Sequence, residues 1–232
     1  MAFRHFLSSS SEQKAIGQAL EANLADEGFE PTLWSREAHG AAQYNLEALL
    51  AQAMSSDFGV FVFAPDDEVR IRGKEHGVVR DNVLFELGLF IGALGRSRCF
   101  IVQADKVEMR LPSDLDGLTT LKYDLQRSDG NLRRSLGPTT TRIAHLSREA
   151  AAAATAEFTS NDLKLLQACR DLSMPSNQAF KAFGSTPAAW DDKLCMRFLR
   201  LMEHRLVKCT GPTEVESTRK GRLLSDARTA TR

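Results

Sequence analysis

Cysteine is scarce and unpatterned. Only four are present, Cys99, Cys169, Cys195 and Cys209, and no two form a CxxC pair. That spacing excludes a zinc ribbon and the dense framework of a small disulfide scaffold, and it fits a reducing, cytoplasmic compartment. The histidines, His5, His39, His76, His145 and His204, show no ligand spacing, so no metal site is expected. Long apolar runs are lacking too. Nothing approaches the ~20 apolar residues of a membrane span, and the opening MAFRHFLSSSS has no apolar core of a signal peptide. No membrane partner is expected. An excess of one charge is the last absence. Thirty basic and thirty acidic residues give a formal net charge of +0, so no global field points to nucleic acid. The balance hides a mild asymmetry. From Ala151 onward there are 13 Lys and Arg against 9 Asp and Glu, a surplus of +4, which leaves −4 for residues 1–150. Two units with different tasks are indicated.

What is present reads as alternation. Of the 232 residues, 43% are hydrophobic, enough for one medium domain and one small one. FRHFL (3–7) predicts a strand that ends in four serines. Residues 12–28 place Ile16, Leu20 and Leu24 at helical spacing and stop at Gly28. FEPTLW (29–34) is a second strand. Residues 44–56 predict a helix with Leu46, Leu49, Leu50 and Met54 on one side. DFGVFVFAPDD (57–67) is a continuous apolar run, as expected of a parallel strand covered on both faces. Residues 68–80 are polar, contain two glycines and read as a flexible loop. A strand follows at 98–102, then a loop and a last strand within 111–124. Strand–helix alternation of this kind predicts an open parallel sheet with helices on both faces, and ligands bind such sheets beyond the carboxyl ends of the strands. Here those ends are Ser8–Ser11, Trp34–Ser35, Ala64–Asp67 and Gln103–Ala104. Residues 145–158, rich in alanine, read as a low-complexity helix or linker. Beyond it, helices are expected at 161–172, 175–183 and 191–206, followed by a hairpin that turns at Gly211–Pro212.

One stretch raises a chemical question. In RDNVLFELGLFIGALGRSRCFIV (80–102) Glu86 is the only formal charge between Asp81 and Arg96, with apolar residues around the whole helix axis, so burial is expected. Gly88, Gly92 and Gly95 suggest close approach of a neighbouring element. An unpaired buried carboxylate costs several kcal/mol or is forced neutral. Two explanations stand side by side. Either Glu86 caps the helix or pairs with Arg80 or Arg96, or it faces a cleft and does chemistry. One carboxylate is too few for ordinary glycoside hydrolysis, which needs an acid for the leaving group. Nicotinamide on a ribose differs, because it is cationic when bound and neutral when it leaves. It needs a group that holds the ribose and stabilises an oxocarbenium-like transition state, or adds to it as a nucleophile.

FLSSSSEQKAIGQAL, PTLWS, DFGVFVFAPDDEVRIRGKE, RDNVLFELGLFIGALGRSRCFIV and LPSDLDGLTTLKYD occur in this order. Together, from about Phe3 to about Leu146, they resemble the bacterial TIR-like domains once described as predicted nucleotide-binding proteins, of the type fused to bacterial STING-like sensors. The resemblance implies a flavodoxin-like parallel sheet and cleavage of NAD+, as a substrate rather than a cofactor, to nicotinamide and linear or cyclised ADP-ribose. It also implies activity through self-association in an anti-phage response. By position it makes Glu86 the catalytic residue. Ser8, Ser9 and Ser10 would line the pocket, Trp34 would stack on a ring, Asp81 and Asn82 would shape the mouth, and Asp114 is a further candidate. Val79 departs from the Pro or Ala expected before Arg-Asp-Asn. The C-terminal part is too short for a STING-like domain, so that trigger is not implied.

The expected organisation is therefore a TIR-like NAD-cleaving domain at 1–146, a linker or helix at 147–158 and a winged-helix-like regulatory domain at 159–232. Arg197, Arg200, Arg205, Arg219 and Lys220 suit either DNA contact or a merely solvated face, so a protein, ligand or DNA partner remains open for that module. Plainer readings accompany the rest. The serines can cap a helix, Trp34 can be core, and Asp66-Asp67 can be a turn and a helix cap. Two other functions stay in view: a nucleoside deoxyribosyltransferase-like enzyme, and a catalytically silent nucleotide-sensing domain coupled to a DNA-binding winged helix.

Overall fold

The computed structural model describes residues 2–34, 46–156, 174–175, 207–211 and 214–217. Residues 2–150 form one compact unit. Its chain order is β1 (Arg4–Ser8), α1 (Lys14–Asp26), β2 (Glu30–Leu33), α2 (Leu46–Ser55), β3 (Phe58–Phe63), β4 (Asp67–Ile71), β5 (Lys74–Val78), α3 (Asp81–Leu94), β6 (Cys99–Ala104), β7 (Thr119–Tyr123) and α4 (Leu132–Ala156).

Five strands form one sheet in the order β2-β1-β3-β6-β7, every pair parallel. Counted along the sheet this is the 2-1-3-4-5 order of flavodoxin-like folds, whose ligand crevice lies where the winding reverses, between the first and third strands. The expected flavodoxin-like class of the first unit is confirmed. The register His5↔Phe58 to Ser8↔Phe61 brings the carboxyl ends of β1 and β3 together there.

Strand β3 shows why the apolar run was needed. All six residues of FGVFVF are buried. Phe58, Val60 and Val62 join the core on one face with Leu20, Leu24 and Ile143. Phe61 and Phe63 join the other face with Leu87 and Phe90. Period-two alternation thus feeds two cores, as expected of a parallel strand covered on both faces.

Several expectations are corrected. Residues 67–78 are not a flexible loop but an antiparallel hairpin, β4 on β5. It turns on Arg72 and Gly73, both at positive φ (50° and 81°), as tight hairpin turns demand. The apolar side expected of α2 is not a buried side. Leu49 and Ala53 are buried, whereas Leu46, Leu50 and Met54 are 52%, 44% and 62% exposed. Helix α3 is not buried all round either, since Phe85 is 58% exposed. A Cβ at Gly88, Gly92 or Gly95 would meet nothing within 4 Å, so these glycines do not admit a neighbour among the described residues. Gly95 instead ends α3 at φ 86°, a conformation that glycine adopts freely. Residues 145–156 are the last turns of α4, which begins at Leu132 and was not foreseen over its first half.

Residues 151–232 form the second unit. Three strands, β8 (Met174–Pro175), β9 (Val207–Gly211) and β10 (Glu214–Ser217), make an antiparallel sheet in the order β8-β10-β9. The hairpin expected around Gly211 is present. The helices expected at 161–172 and 191–206, and nearly all of 175–183, lie outside the described residues. So do Arg197, Arg200, Arg205, Arg219 and Lys220, read as either a DNA contact or a solvated face.

Candidate functional site

The loop that leaves β1 starts with small hydroxyl residues. Serine lets the chain turn at a strand end without a bulky side chain, and its hydroxyl satisfies nearby groups. Ser8 is buried, and its Oγ donates to Glu86 Oε2 at 2.5 Å. Ser10 donates to Asp66 Oδ2 at 2.5 Å and accepts from the Gln13 backbone N–H at 3.3 Å. Gln13 Nε2 donates to Asp66 Oδ1 at 2.8 Å. Asp66 therefore clamps the serine loop against the end of β3 rather than capping a helix. Asp67 begins β4 and pairs with Arg80 at 3.4 Å, and Arg80 pairs with Glu12 at 2.9 Å.

Glu86 lies on the buried face of α3 beside Val83, Leu87 and Phe90. Phe90 stacks on Phe6 of β1 at 4.2 Å between ring centroids and meets Phe61 of β3 edge-on at 5.6 Å. These contacts fix the rotation of α3 about its axis, and that rotation aims Glu86 at the β1 terminus. The two arginines considered as its partners each make contacts with other groups. Arg80 grips Glu12 and Asp67, and Arg96 donates to the Asp116 carbonyl at 2.6 Å. Glu86 is 7% exposed and takes a hydrogen bond from a neutral hydroxyl.

A cavity of about 180 Å³ opens above this pair, lined by Ser9, Ser10, Ser11, Lys14, Leu33, Trp34, Arg80, Asn82, Val83 and Glu86. Of the expected site residues, Glu86, Ser9, Ser10, Trp34 and Asn82 converge on it. Ser8 stands behind Glu86 instead of lining the space. Trp34 is half-buried and does two things: it walls the cavity and packs on Phe6 at 5.8 Å. Asp81 is exposed at the first position of α3, and Asp114 is exposed in a short 3-10 turn at Ser113–Leu115. Neither lines the cavity. Ser11 was placed at the strand end but not named as a pocket residue, and Lys14, Leu33, Arg80 and Val83 were missed as lining residues. Gly17 was missed as well. A Cβ there would lie 2.7 Å from Leu33 Cδ1 and 2.9 Å from Ser9 Oγ, so its hydrogen makes room for two wall residues. No cluster of three or more His, Cys, Asp or Glu able to hold a metal occurs among the described residues. Nor is any helix among them long and apolar enough to cross a membrane. The buried thiol of Cys99, on β6, is pushed up to about 12 by desolvation, which disfavours the nucleophilic thiolate.

The doubly wound sheet places a buried carboxylate at its winding reversal, where folds of this order hold their ligands. The family model described as "CAP12/Pycsar effector protein, TIR domain" matches residues 4–125, more than half of the chain. The chain belongs to that family of bacterial TIR defence effectors. It is 43% identical over 133 residues to the Pycsar effector protein PaPycTIR of Pseudomonas aeruginosa, covering 57% of this chain and 43% of that one. It is 42% identical over 120 residues to XpPycTIR of Xanthomonas perforans, covering 52% and 40%. It is 39% identical over 127 residues to CD-NTase-associated protein 12 of Niabella drilacis, covering 52% and 39%. The matched region thus spans less than half the length of these curated relatives. A flavodoxin-like domain from Synechococcus sp. superposes at a TM-score of 0.39 with 12% identity, covering 61% of this chain and 96% of that one.

Proposed function

We propose that the first unit cleaves the nicotinamide–ribose bond of NAD+, with Glu86 as the catalytic residue. The observation that carries this reading is the placement of one desolvated carboxylate on the wall of the crevice, held by the Ser8 hydroxyl at 2.5 Å. The C1′–N bond breaks, and its electron pair leaves with the ring nitrogen, which turns the pyridinium into neutral nicotinamide. No general acid is required. The positive charge that develops at C1′ is stabilised by the Glu86 carboxylate across the cavity, where low dielectric strengthens the attraction. Water then adds to C1′ and gives up a proton to solvent, which yields ADP-ribose. A ribose hydroxyl or a second ring of the substrate as acceptor would yield a cyclised product instead.

The role that fits this chemistry is an anti-phage effector that depletes NAD+ once it assembles. The exposed Leu46, Leu50, Met54 and Phe85 give α2 and α3 apolar surface suited to self-association. The C-terminal unit, with a protein, ligand or DNA as its partner, would relay the signal.

The test is nicotinamide release by the full chain over a range of protein concentrations, with Glu86→Gln in parallel. The expected outcome is turnover that rises more than linearly with protein concentration and disappears in the variant. Turnover that survives Glu86→Gln would refute the assignment. Turnover of nucleosides but not NAD+ would favour the deoxyribosyltransferase chemistry.

A further inference from the structure

The loop between β1 and α1 forms one wall of the cavity, through Ser9, Ser10 and Ser11. Its residues are small and polar, and Ser11 and Glu12 are exposed. Such a loop buries little apolar surface of its own, so hydrogen bonds must order it. Asp66, just beyond β3, supplies two. Its Oδ2 accepts from the Ser10 hydroxyl at 2.5 Å, and its Oδ1 accepts from Gln13 Nε2 at 2.8 Å. One carboxylate thus grips both ends of a four-residue span. Neither Asp66 nor Gln13 lines the cavity.

The grip takes precedence over the local helix. Gln13 occupies the N-cap position of α1, yet its side chain makes no capping hydrogen bond. A short oxygen side chain there would close the helix end. The longer amide reaches instead to a carboxylate 53 positions away in sequence. A second hold on the loop is separate: Glu12 pairs with Arg80 at 2.9 Å. Asp66 and Arg80 flank the β4–β5 hairpin, so the chain grips the same loop as it leaves for the hairpin and again as it returns. Loss of Asp66 alone would therefore loosen the wall without releasing it. Glu86 is held apart from this clamp, by α3 and by Ser8 of β1.

We propose that Asp66 is a positioning residue of this site: it fixes Ser10 and Gln13 and so keeps the serine wall in its ligand-accepting place without touching the ligand. This rests on the NAD+-cleaving reading of Glu86. A wall ordered in advance need not be ordered by the ligand, so the effect of Asp66 falls on binding. The bond-breaking step depends on the Ser8–Glu86 pair and is little affected.

The test compares the full-length wild type with Asp66→Ala and Asp66→Asn. In Asp66→Ala the KM for NAD+ should rise about ten-fold while kcat stays within about two-fold. ADP-ribose binding, followed by calorimetry, should weaken in parallel. A merely structural role would give the opposite split, because a smaller folded fraction lowers kcat and leaves KM alone. Asp66→Asn should recover most of the loss, since its oxygen can accept from Gln13 and its amide N–H can donate to Ser10 Oγ. Hydrogen exchange reads the loop without a ligand. In Asp66→Ala the amides of residues 9–13 should exchange about ten-fold faster, with β3 and α3 unchanged. An unchanged KM, a fall in kcat alone, unaltered exchange or no recovery by Asp66→Asn overturns the proposal. If the wild type releases no nicotinamide, the Glu86 reading fails, and exchange and ADP-ribose binding decide Asp66 separately. Faster exchange with weaker binding in Asp66→Ala supports it. An unaltered value of either, or no binding by the wild type, overturns it.

Discussion

His5 ties the strand that carries Ser8 to the helix that closes the first unit, and protons should break that tie. The ring is 1% exposed, lies against Phe58 at 5.0 Å and Phe29 at 4.6 Å, and shares a 3.0 Å hydrogen bond between Nε2 and Ser147 Oγ of α4. Nδ1 has no hydrogen-bond partner of good geometry, and the Phe3 backbone exerts only a minor opposing pull on the proton equilibrium. Desolvation lowers the imidazole from 6.5 to about 4. The sign follows from which state takes up the proton. Below pH 6.5 the unfolded chain binds one at this ring and the folded chain refuses it, so stability falls as the medium is acidified. The loss is complete once pH drops below about 4, where both states are protonated. Over that interval, at about 1.4 kcal/mol per pH unit, it amounts to about 3 kcal/mol, a large fraction of the 5–15 kcal/mol typical of a domain.

Urea unfolding of the full chain at several values between pH 4.5 and pH 7.5 reads this directly. The carboxylates add their own acid dependence, so the informative quantity is the difference between wild type and His5→Gln. Glutamine retains a polar contact to Ser147 but does not titrate in this range. The variant should be less stable at pH 7.5, because the ring contacts to Phe29 and Phe58 are lost, yet its stability should fall less steeply on acidification. The two curves should converge toward pH 4.5. Parallel curves across the whole range would refute the reasoning, since the ring would then be neutral and uncoupled or already accessible to protons.

Two further substitutions probe the site. Ser8→Ala removes the hydroxyl that holds Glu86, and turnover of NAD+ should fall about ten- to a hundred-fold with little change in KM, by loss of one hydrogen bond to a charged group; an unchanged rate would show that Phe6 and Phe90 alone position the carboxylate. Gly17→Ala pushes on Leu33 and on the Ser9 hydroxyl, both movable side-chain ends. The fold should survive and ADP-ribose binding, followed by calorimetry, should weaken several-fold as the cavity narrows, whereas unaltered binding would place Ser9 outside the ligand's reach.

How much of this was legible beforehand differs from segment to segment, and the reasons are physical. The run FGVFVF announced a parallel strand because its alternating residues must serve two cores, and no single-faced strand tolerates that. Glu86 was legible because a carboxylate amid apolar residues is costly, so the sequence itself flags it. The same logic overreached on α2 and α3. Periodicity groups Leu46, Leu50 and Met54 on one face, but it cannot say whether anything within the domain covers that face, and here none of the described residues does so fully. The hairpin β4–β5 escaped notice because DEVRI and KEHGV carry mostly polar side chains, so no apolar alternation marks them, and an Arg-Gly turn is a weaker signal than Asn-Gly.

Lys14 and Arg80 escaped for a different reason. Taken alone, a lysine in the first turn of a helix and an arginine before another helix look like solvated charges. The helix macrodipole disfavours a cation at an N-terminus by about a few tenths of a kcal/mol, so the local helix pattern gives no signal for Lys14. Only the parallel pairing of β1 with β3 at the winding reversal brings the loop at 8–14, the end of β2 at 33–34 and the start of α3 at 80–86 around one space. A single buried carboxylate can be read from its neighbours in sequence. The cations that line the cavity with it belong to no common period, and the parallel connections make them neighbours.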